Sequence, residues 1–273
     1  MHNTAALATA DPDLRARAVG EGLAVLEREF PRRRVPTQIA GEAQRVVRRV
    51  TGNADPYREA KDREIGMAAR IITRIRDRFG GDYPGLMRLA ALGNAVDFFK
   101  DLDTVVAQMH SPVDFVLDQT GEFLKRLDTA RLVLYLADNA AECYFDYPLL
   151  AQLAEDTEVF YVLKEGPVQN DLTMDDLVRA GFAAKVQNII TTGTDTPGLD
   201  WETVPAAVRE LFERADLVLA KGMGNYETLS ECGFGHKVFF LLMAKCRPVA
   251  GSLGVPLDSF VAAFSSTDSS AGG

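Results

Sequence analysis

From residue 131 onward the chain alternates short apolar runs with helical stretches, and this alternation restricts the fold more than any other feature. The runs RLVLYLA (131–137), EVFYVL (158–163), KVQNII (185–190) and DLVLA (216–220) are short and rich in β-branched or aromatic residues, as strands are. Segments 147–155, 174–180 and 204–214 between them have helical character. Strands separated by helices require right-handed crossovers. The fold class is therefore α/β, with a mainly parallel sheet covered on both faces. Residues 237–246 and 247–250 read as one or two closing strands.

The first part of the chain has another texture. Segments 14–30, 37–50, 57–79 and 83–99 place apolar residues at mixed three- and four-residue spacing with charges between, the period of amphipathic helices. Pro31, Pro36, Thr51-Gly52-Asn53, Asp55-Pro56 and Gly80-Gly81 fall at their boundaries, where chain breakers belong. Three regions result: helical over 1–125, α/β over 126–264, and a Ser/Gly-rich, disordered tail over 265–273. Arg32-Arg33-Arg34 with Arg48-Arg49 reads as a solvated face, with a phosphate-binding patch as the alternative.

Charge and thiol usage narrow the function classes. A net charge of −9 disfavours nucleic acid and anionic membrane surfaces as partners, because phosphate neutralisation needs a basic surface. Cys143, Cys232 and Cys246 are widely spaced and form no CxxC pair, as in a protein with reduced thiols. No apolar run approaches the roughly 18 residues of a membrane span. A cytoplasmic location is the expectation.

Ligands in an open parallel sheet bind beyond the carboxyl ends of the strands, and three strand ends here carry polar clusters. The first is Asp138-Asn139-Ala-Ala-Glu142, and the second runs from Lys164 through Asn170-Asp171 to Asp176. The third is Lys221-Gly222-Met-Gly224-Asn225-Tyr-Glu227. Asp138, Asn139 and Asp171 offer two carboxylates and an amide carbonyl, which suit a hard divalent ion such as Mg²⁺ or Mn²⁺. Lys221 with bare glycine N–H groups suits an anion such as phosphate. Each cluster also has an ordinary structural reading. Asp138 or Asn139 can cap the following helix, Asn170 to Thr173 can be a turn with an N-cap, and Lys221-Gly222 can be a plain strand exit. Three clusters on one expected edge, with complementary charge, favour a site. Neither a Walker A loop nor a GxGxxG fingerprint is present, so nucleotide cofactors gain no support. His2, His110 and His236 read as exposed or satisfied histidines, and Trp201 as packing.

Three blocks, "LYLADNAAECYFD", "GPVQNDLTMDDLVRAG" and "LVLAKGMGNYETL", resemble in order the signatures of the metal-dependent damage-control phosphatases, once catalogued as domain of unknown function 89. "DPYREAKDRE" (55–64) and "ALGNAVDFF" (91–99) are weaker matches, and the likeness spans about 55–255. It implies an α/β/α sandwich preceded by a helical region, and hydrolysis of phosphomonoesters such as sugar phosphates or phosphopantetheine derivatives. It also implies a divalent ion (Mn²⁺, Mg²⁺, Co²⁺ or Ni²⁺) on Asp138, Asn139 and Asp171, and a phosphate contact from Lys221. Asn94, Asp97, Glu142, Asn170, Gly222 and Asn225 become pocket candidates. Two departures stand out: Ala141 replaces a frequent glycine, and the N-terminal CxxC of many relatives is absent.

The chemistry expected is metal-assisted phosphoryl transfer to water, with Asp171 or Glu142 as base if one is needed. Two other classes compete. An adenosylmethionine-dependent carboxyl methyltransferase would want a glycine-rich first loop, where this chain has Asp138-Asn139. A non-catalytic metabolite binder would have no need for the combination of two acids, an amide and a lysine.

Overall fold

The computed structural model describes residues 1–32, 34–96, 103, 105, 107, 111–230 and 232–265. Asp97, His110 and the tail beyond Ser265 lie outside the described residues, as does the end of the fourth expected helix.

Helices α1 (His2–Ala8), α2 (Pro12–Glu29), α3 (Pro36–Thr51), α4 (Arg58–Ile75) and α5 (Tyr83–Ala95) form the first part. Their ends follow the chain breakers. Asp11 and Asp82 cap α2 and α5 through backbone N–H groups, and Gly52 closes α3 in the left-handed region, as helix termini require. The basic stretch is largely ion-paired. Arg32 and Arg34 bond Glu29, and Arg48 bonds Asp195 and the Pro167 carbonyl. Arg33 is not among the described residues.

The sheet has seven strands: β1 (Phe115–Asp118), β2 (Leu132–Leu136), β3 (Glu158–Leu163), β4 (Ile189–Thr191), β5 (Leu217–Lys221), β6 (Val238–Met243) and β7 (Phe260–Phe264). They lie in the order β1-β7-β6-β5-β2-β3-β4, parallel except where β7 runs against β6. Helices α6 (Thr120–Leu127), α7 (Cys143–Asp156), α8 (Met174–Arg179), α9 (Ala206–Arg214), α10 (Gly222–Leu229) and α11 (Arg247–Leu253) complete the described elements.

Alternate residues of the central strands feed two cores. Val133, Tyr135, Tyr161, Leu219 and Phe239 join a core with α4, α5 and α7, whereas Leu134, Val162, Val218 and Phe240 join one with α9, α10 and α11. Period-two side chains on fully buried strands demand this layering. The expected mainly parallel, doubly covered sheet is therefore what the chain forms.

Three details depart from the expectations. The sheet begins at Phe115, ahead of residue 126, because β1 pairs with β7 at the edge. Residues 247–253 form a helix instead of a closing strand, with Pro248 in its first turn, a position that proline tolerates. The closing strand is β7, antiparallel to β6.

One of the close contacts between the helical part and the sheet layer rests on a glycine. Gly93 of α5 faces Phe145 of α7, and a Cβ there would lie 2.8 Å from the Phe145 Cβ. Gly93→Ala improves helix propensity yet forces these helices apart. It is expected to lower stability by about 1–3 kcal/mol, measured as a reduced urea midpoint; an unchanged or raised midpoint would contradict this packing.

Candidate active site at the strand ends

Strand β2 has β3 and β4 on one side and β5 on the other, so the strand order reverses between β2 and β5. Such a switch point leaves a crevice at the carboxyl ends. Asp138 follows β2 there, and the Ala140–Glu142 turn leads into α7.

The loop after β3 is tied to the loop after β2. Leu172 N–H donates to the Asp138 carbonyl (2.8 Å), and Ala140 N–H donates to the Asn170 carbonyl (2.8 Å). Asn139 and Asp171 thus face each other in an antiparallel bridge. A tight turn, with Gln169 at φ 46° and Asp171 N–H bonded to the Val168 carbonyl (3.1 Å), aims this segment. Gly222 follows β5 at φ 75°, and a Cβ on it would lie 2.0 Å from Asp138 Oδ2. Only glycine leaves that space to the carboxylate.

These loops enclose a cavity of about 170 Å³. Asp138, Asn139, Asp171, Asn94 and Lys245 form its polar wall, and Gln169, Met223 and Gly224 also border it. The Asn94 amide donates to Asp138 Oδ2 (2.8 Å) and Glu142 Oε1 (3.0 Å). The Asn139 amide does the same at 3.0 and 2.6 Å. Asn94 Oδ1 in turn accepts from the Met243 N–H at the end of β6 (3.1 Å).

Behind the cavity lies a buried ionic cluster. The Lys221 ammonium, without solvent exposure, donates to Glu142 Oε2 (2.8 Å) and Asp146 Oδ1 (2.6 Å). Tyr135 and Tyr161 donate their hydroxyls to Asp146 (2.8 and 3.2 Å). Burial acts to raise the Glu142 carboxyl, but the Lys221 charge and hydrogen bond hold it below its ordinary value. Burial acts to lower Lys221, and Asp146 with Glu142 outweigh it and raise the ammonium.

The cavity acids are in the opposite condition. Burial pushes Asp138 well above the usual carboxylate range, and the Glu142 and Asp171 charges push it further. Burial raises Asp171 to about 6, with the Lys164 charge opposing. Two buried carboxylates on one small cavity, each hard to ionise, form an arrangement that a cation relieves. Among the described residues no group of three His, Cys, Asp or Glu is placed to hold a metal ion by itself, so an ion here would also take amide and water oxygens. The donor set of two acids and an amide therefore fits a hard ion that keeps water ligands.

The sequence candidates divide accordingly. Asp138, Asn139, Asp171 and Asn94 meet at the cavity, and Gly222 backs Asp138. Glu142 is buried behind them. Asn170 does not border the cavity, and the Asn225 amide holds the Ala137 and Lys221 carbonyls (3.2 and 2.8 Å). Asp97 is outside the described residues. Lys221, expected at a phosphate, does not border the cavity, because Glu142 and Asp146 hold its ammonium inside. The cation at the cavity is Lys245, which the reading of 237–246 as one continuous strand concealed. The strand stops at Met243, so Lys245 is itself a strand-end residue, and that position was its signal.

Comparison with known proteins identifies relatives of the chain. Residues 1–261 match the damage-control phosphatase ARMT1-like domain. The damage-control phosphatase PH1575 of Pyrococcus horikoshii is 35% identical over 93% of this chain and 90% of its own. A damage-control phosphatase of Archaeoglobus fulgidus is 32% identical over 94% and 92%. The crystal structure of the Pyrococcus horikoshii protein, described as a DUF89 family protein, superposes with a TM-score of 0.89 at 33% identity, covering 97% of this chain and 94% of that one. These likenesses support a phosphatase role.

The buried cluster makes a direct stability prediction. Lys221→Met leaves Glu142 and Asp146 uncompensated in the interior. The loss is expected to be about 3–5 kcal/mol in urea unfolding; a variant as stable as the parent would show that the lysine is not the counter-ion.

Proposed function

We propose that this chain, which belongs to the damage-control phosphatase ARMT1-like family, hydrolyses small phosphomonoesters at the strand-end cavity with a divalent metal ion. The observation that carries this reading is the meeting of Asp138, Asp171 and Asn139 with Lys245 on one cavity at the switch point. Asp138, Asp171 and Asn139 would hold the ion, which when bound polarises phosphoryl oxygens and yields a nucleophilic water near neutral pH.

The chain's own groups supply the rest. Lys245 and the backbone beside Gly224 face the space where the phosphoryl oxygens belong, and stabilise charge that shifts onto them in the transition state. The Asn94 and Asn139 amides orient the Asp138 carboxylate. Of the two acids weighed as base, Asp171 borders the cavity and Glu142 does not, and Asp171 is already given to holding the ion, so no separate base is assigned. Lys221 acts from behind, keeping Glu142 anionic as the acceptor for both amides.

Size limits the substrate. A cavity of about 170 Å³ is below the roughly 300–1,000 Å³ of pockets that engulf drug-sized ligands. It suits a phosphate with a short organic part, such as a sugar phosphate, while a phosphopantetheine derivative would extend outside it.

The test is hydrolysis of p-nitrophenyl phosphate by chelator-treated protein after addition of Mg²⁺, Mn²⁺, Co²⁺ or Ni²⁺. Metal-dependent release is expected. Asp138→Asn and Asp171→Asn should each reduce kcat/KM by more than the 10- to 100-fold typical of an outer-sphere partner. Lys245→Ala should reduce it about 10- to 100-fold, the loss of one charged hydrogen bond. Folded protein with no metal-dependent release, or a fully active Asp138→Asn, would overturn the reading.

A further inference from the structure

The stretch DPYREAKDRE (55–64) contributes no side chain to the cavity wall, yet it buries two ionisable groups beside the loop that carries Asp171. Lys61 has no solvent exposure, and its ammonium lies 2.7 Å from Asp55 Oδ2 and 3.0 Å from Asp176 Oδ2. Asp176, equally buried, is the third residue of a capping box at the start of α8. Its Oδ2 also accepts the Thr173 N–H (3.0 Å) and the Thr173 hydroxyl (2.6 Å). One carboxylate oxygen thus joins Lys61 to the backbone two residues beyond Asp171.

The segment between is also bonded through Leu172, whose N–H donates to the Asp138 carbonyl and whose carbonyl accepts the Lys164 N–H (2.9 Å). Asp171 is bracketed by its turn bond to Val168, by the Leu172 bond to Asp138 and by the Thr173 cap. Lys164, the cation nearest its carboxylate at 3.6 Å, is itself held by the Gly198 carbonyl. Glu64, one turn further along α4, is buried near Asn170. The C-terminal side of Asp171 is thus tied to α4 through Lys61. Arg179 pulls on the other oxygen of Asp176 (2.5 Å). Without Lys61, only the Thr173 cap on Oδ2 would oppose the pull of Arg179 on the other oxygen of Asp176.

We propose that Lys61 is a positioning residue which, through Asp176 and the Thr173 cap, fixes the Asp171 carboxylate and thereby sets the affinity of the strand-end site for a divalent cation. This inference rests on the reading of Asp171 as a metal ligand.

The experiment is calorimetric titration of Mn²⁺ into chelator-treated full-length protein, with urea unfolding of each variant in parallel. Asp171→Asn is the reference and should abolish or strongly weaken binding. Lys61→Met and Asp176→Asn are expected to weaken Mn²⁺ binding about 10-fold or more, as outer-sphere partners do. Lys61→Arg should restore part of the loss. Asp55→Asn also removes a Lys61 partner and should lower stability, but it leaves the Lys61–Asp176 link and should bind within about 3-fold of the parent, below that outer-sphere range. A general loosening of the fold would not separate Asp55 from Asp176. Folded Lys61→Met and Asp176→Asn with parental affinity would overturn the inference, and so would equal losses in Asp55→Asn and Asp176→Asn. If Lys61→Met does not fold, the Asp55 and Asp176 pair decides alone. An Asp171→Asn variant that binds as tightly as the parent would overturn the ligand reading itself, and this inference with it.

Discussion

Lys221 ends the central strand β5 with its ammonium between Glu142 and Asp146, and the geometry of the strand ends follows from the need to keep that buried cation paired. A lysine without water is tolerable only with charge partners and satisfied hydrogen bonds around it. Both partners come from the turn and first helical residues after β2, so the pairing clamps β5 to that turn across the switch point. Tyr135 and Tyr161 complete the Asp146 carboxylate from the strands themselves. Glu142 uses its other oxygen to accept the Asn94 and Asn139 amides, and these same amides reach Asp138. The back of the site thereby orients its front. A rigid first layer held by hydrogen-bonded supports is what a site of this kind requires.

Most of the sheet was legible because its strands are buried on both faces. EVFYVL coincides with β3 and RLVLYLA encloses β2, since continuous apolar runs bounded by polar residues have few other uses. The end of α3 was legible for a local reason too, since Gly52 closes it in the left-handed region, whereas the side-chain caps Asp11 and Asp82 were not read from the sequence. Asp138, Asn139 and Asp171 were legible as a group because parallel topology sends every strand's carboxyl end to one edge. Their adjacency needed no knowledge of side-chain direction.

What escaped depended on tertiary partners. FVLD (115–118) is a four-residue strand with half its side chains exposed, and it exists because β7 offers an edge to pair with. KVQNII was expected as a strand from residue 185, but only its end enters β4. Lys185 lies instead near the Phe182 and Tyr147 rings (4.8 and 5.9 Å from their centroids). The exchange of Lys221 for Lys245 has the same origin. Both are lysines at strand ends, and only the acids behind β5 determine that one ammonium points inward while the other is left to the cavity.

Ala141 shows how the helical part shapes the site that the sheet carries. A methyl group in place of glycine would matter if the turn needed a left-handed residue, but Ala141 is not among the residues with positive φ. It is fully buried in the Ala140–Glu142 turn, which packs against α4, so the extra carbon adds apolar contact at the helix–turn boundary. The same helix also bears Lys61, which reaches the Thr173 cap beyond Asp171 through Asp176. The two carboxylates of the cavity therefore stand on loops braced by one helix from outside the sheet: Asp138 through the turn that Ala141 fills, and Asp171 through the cap that Lys61 balances. A cation site needs its donors fixed relative to each other more than it needs any one of them to be rigid. A common support on α4 would meet that need in the proposed cation site.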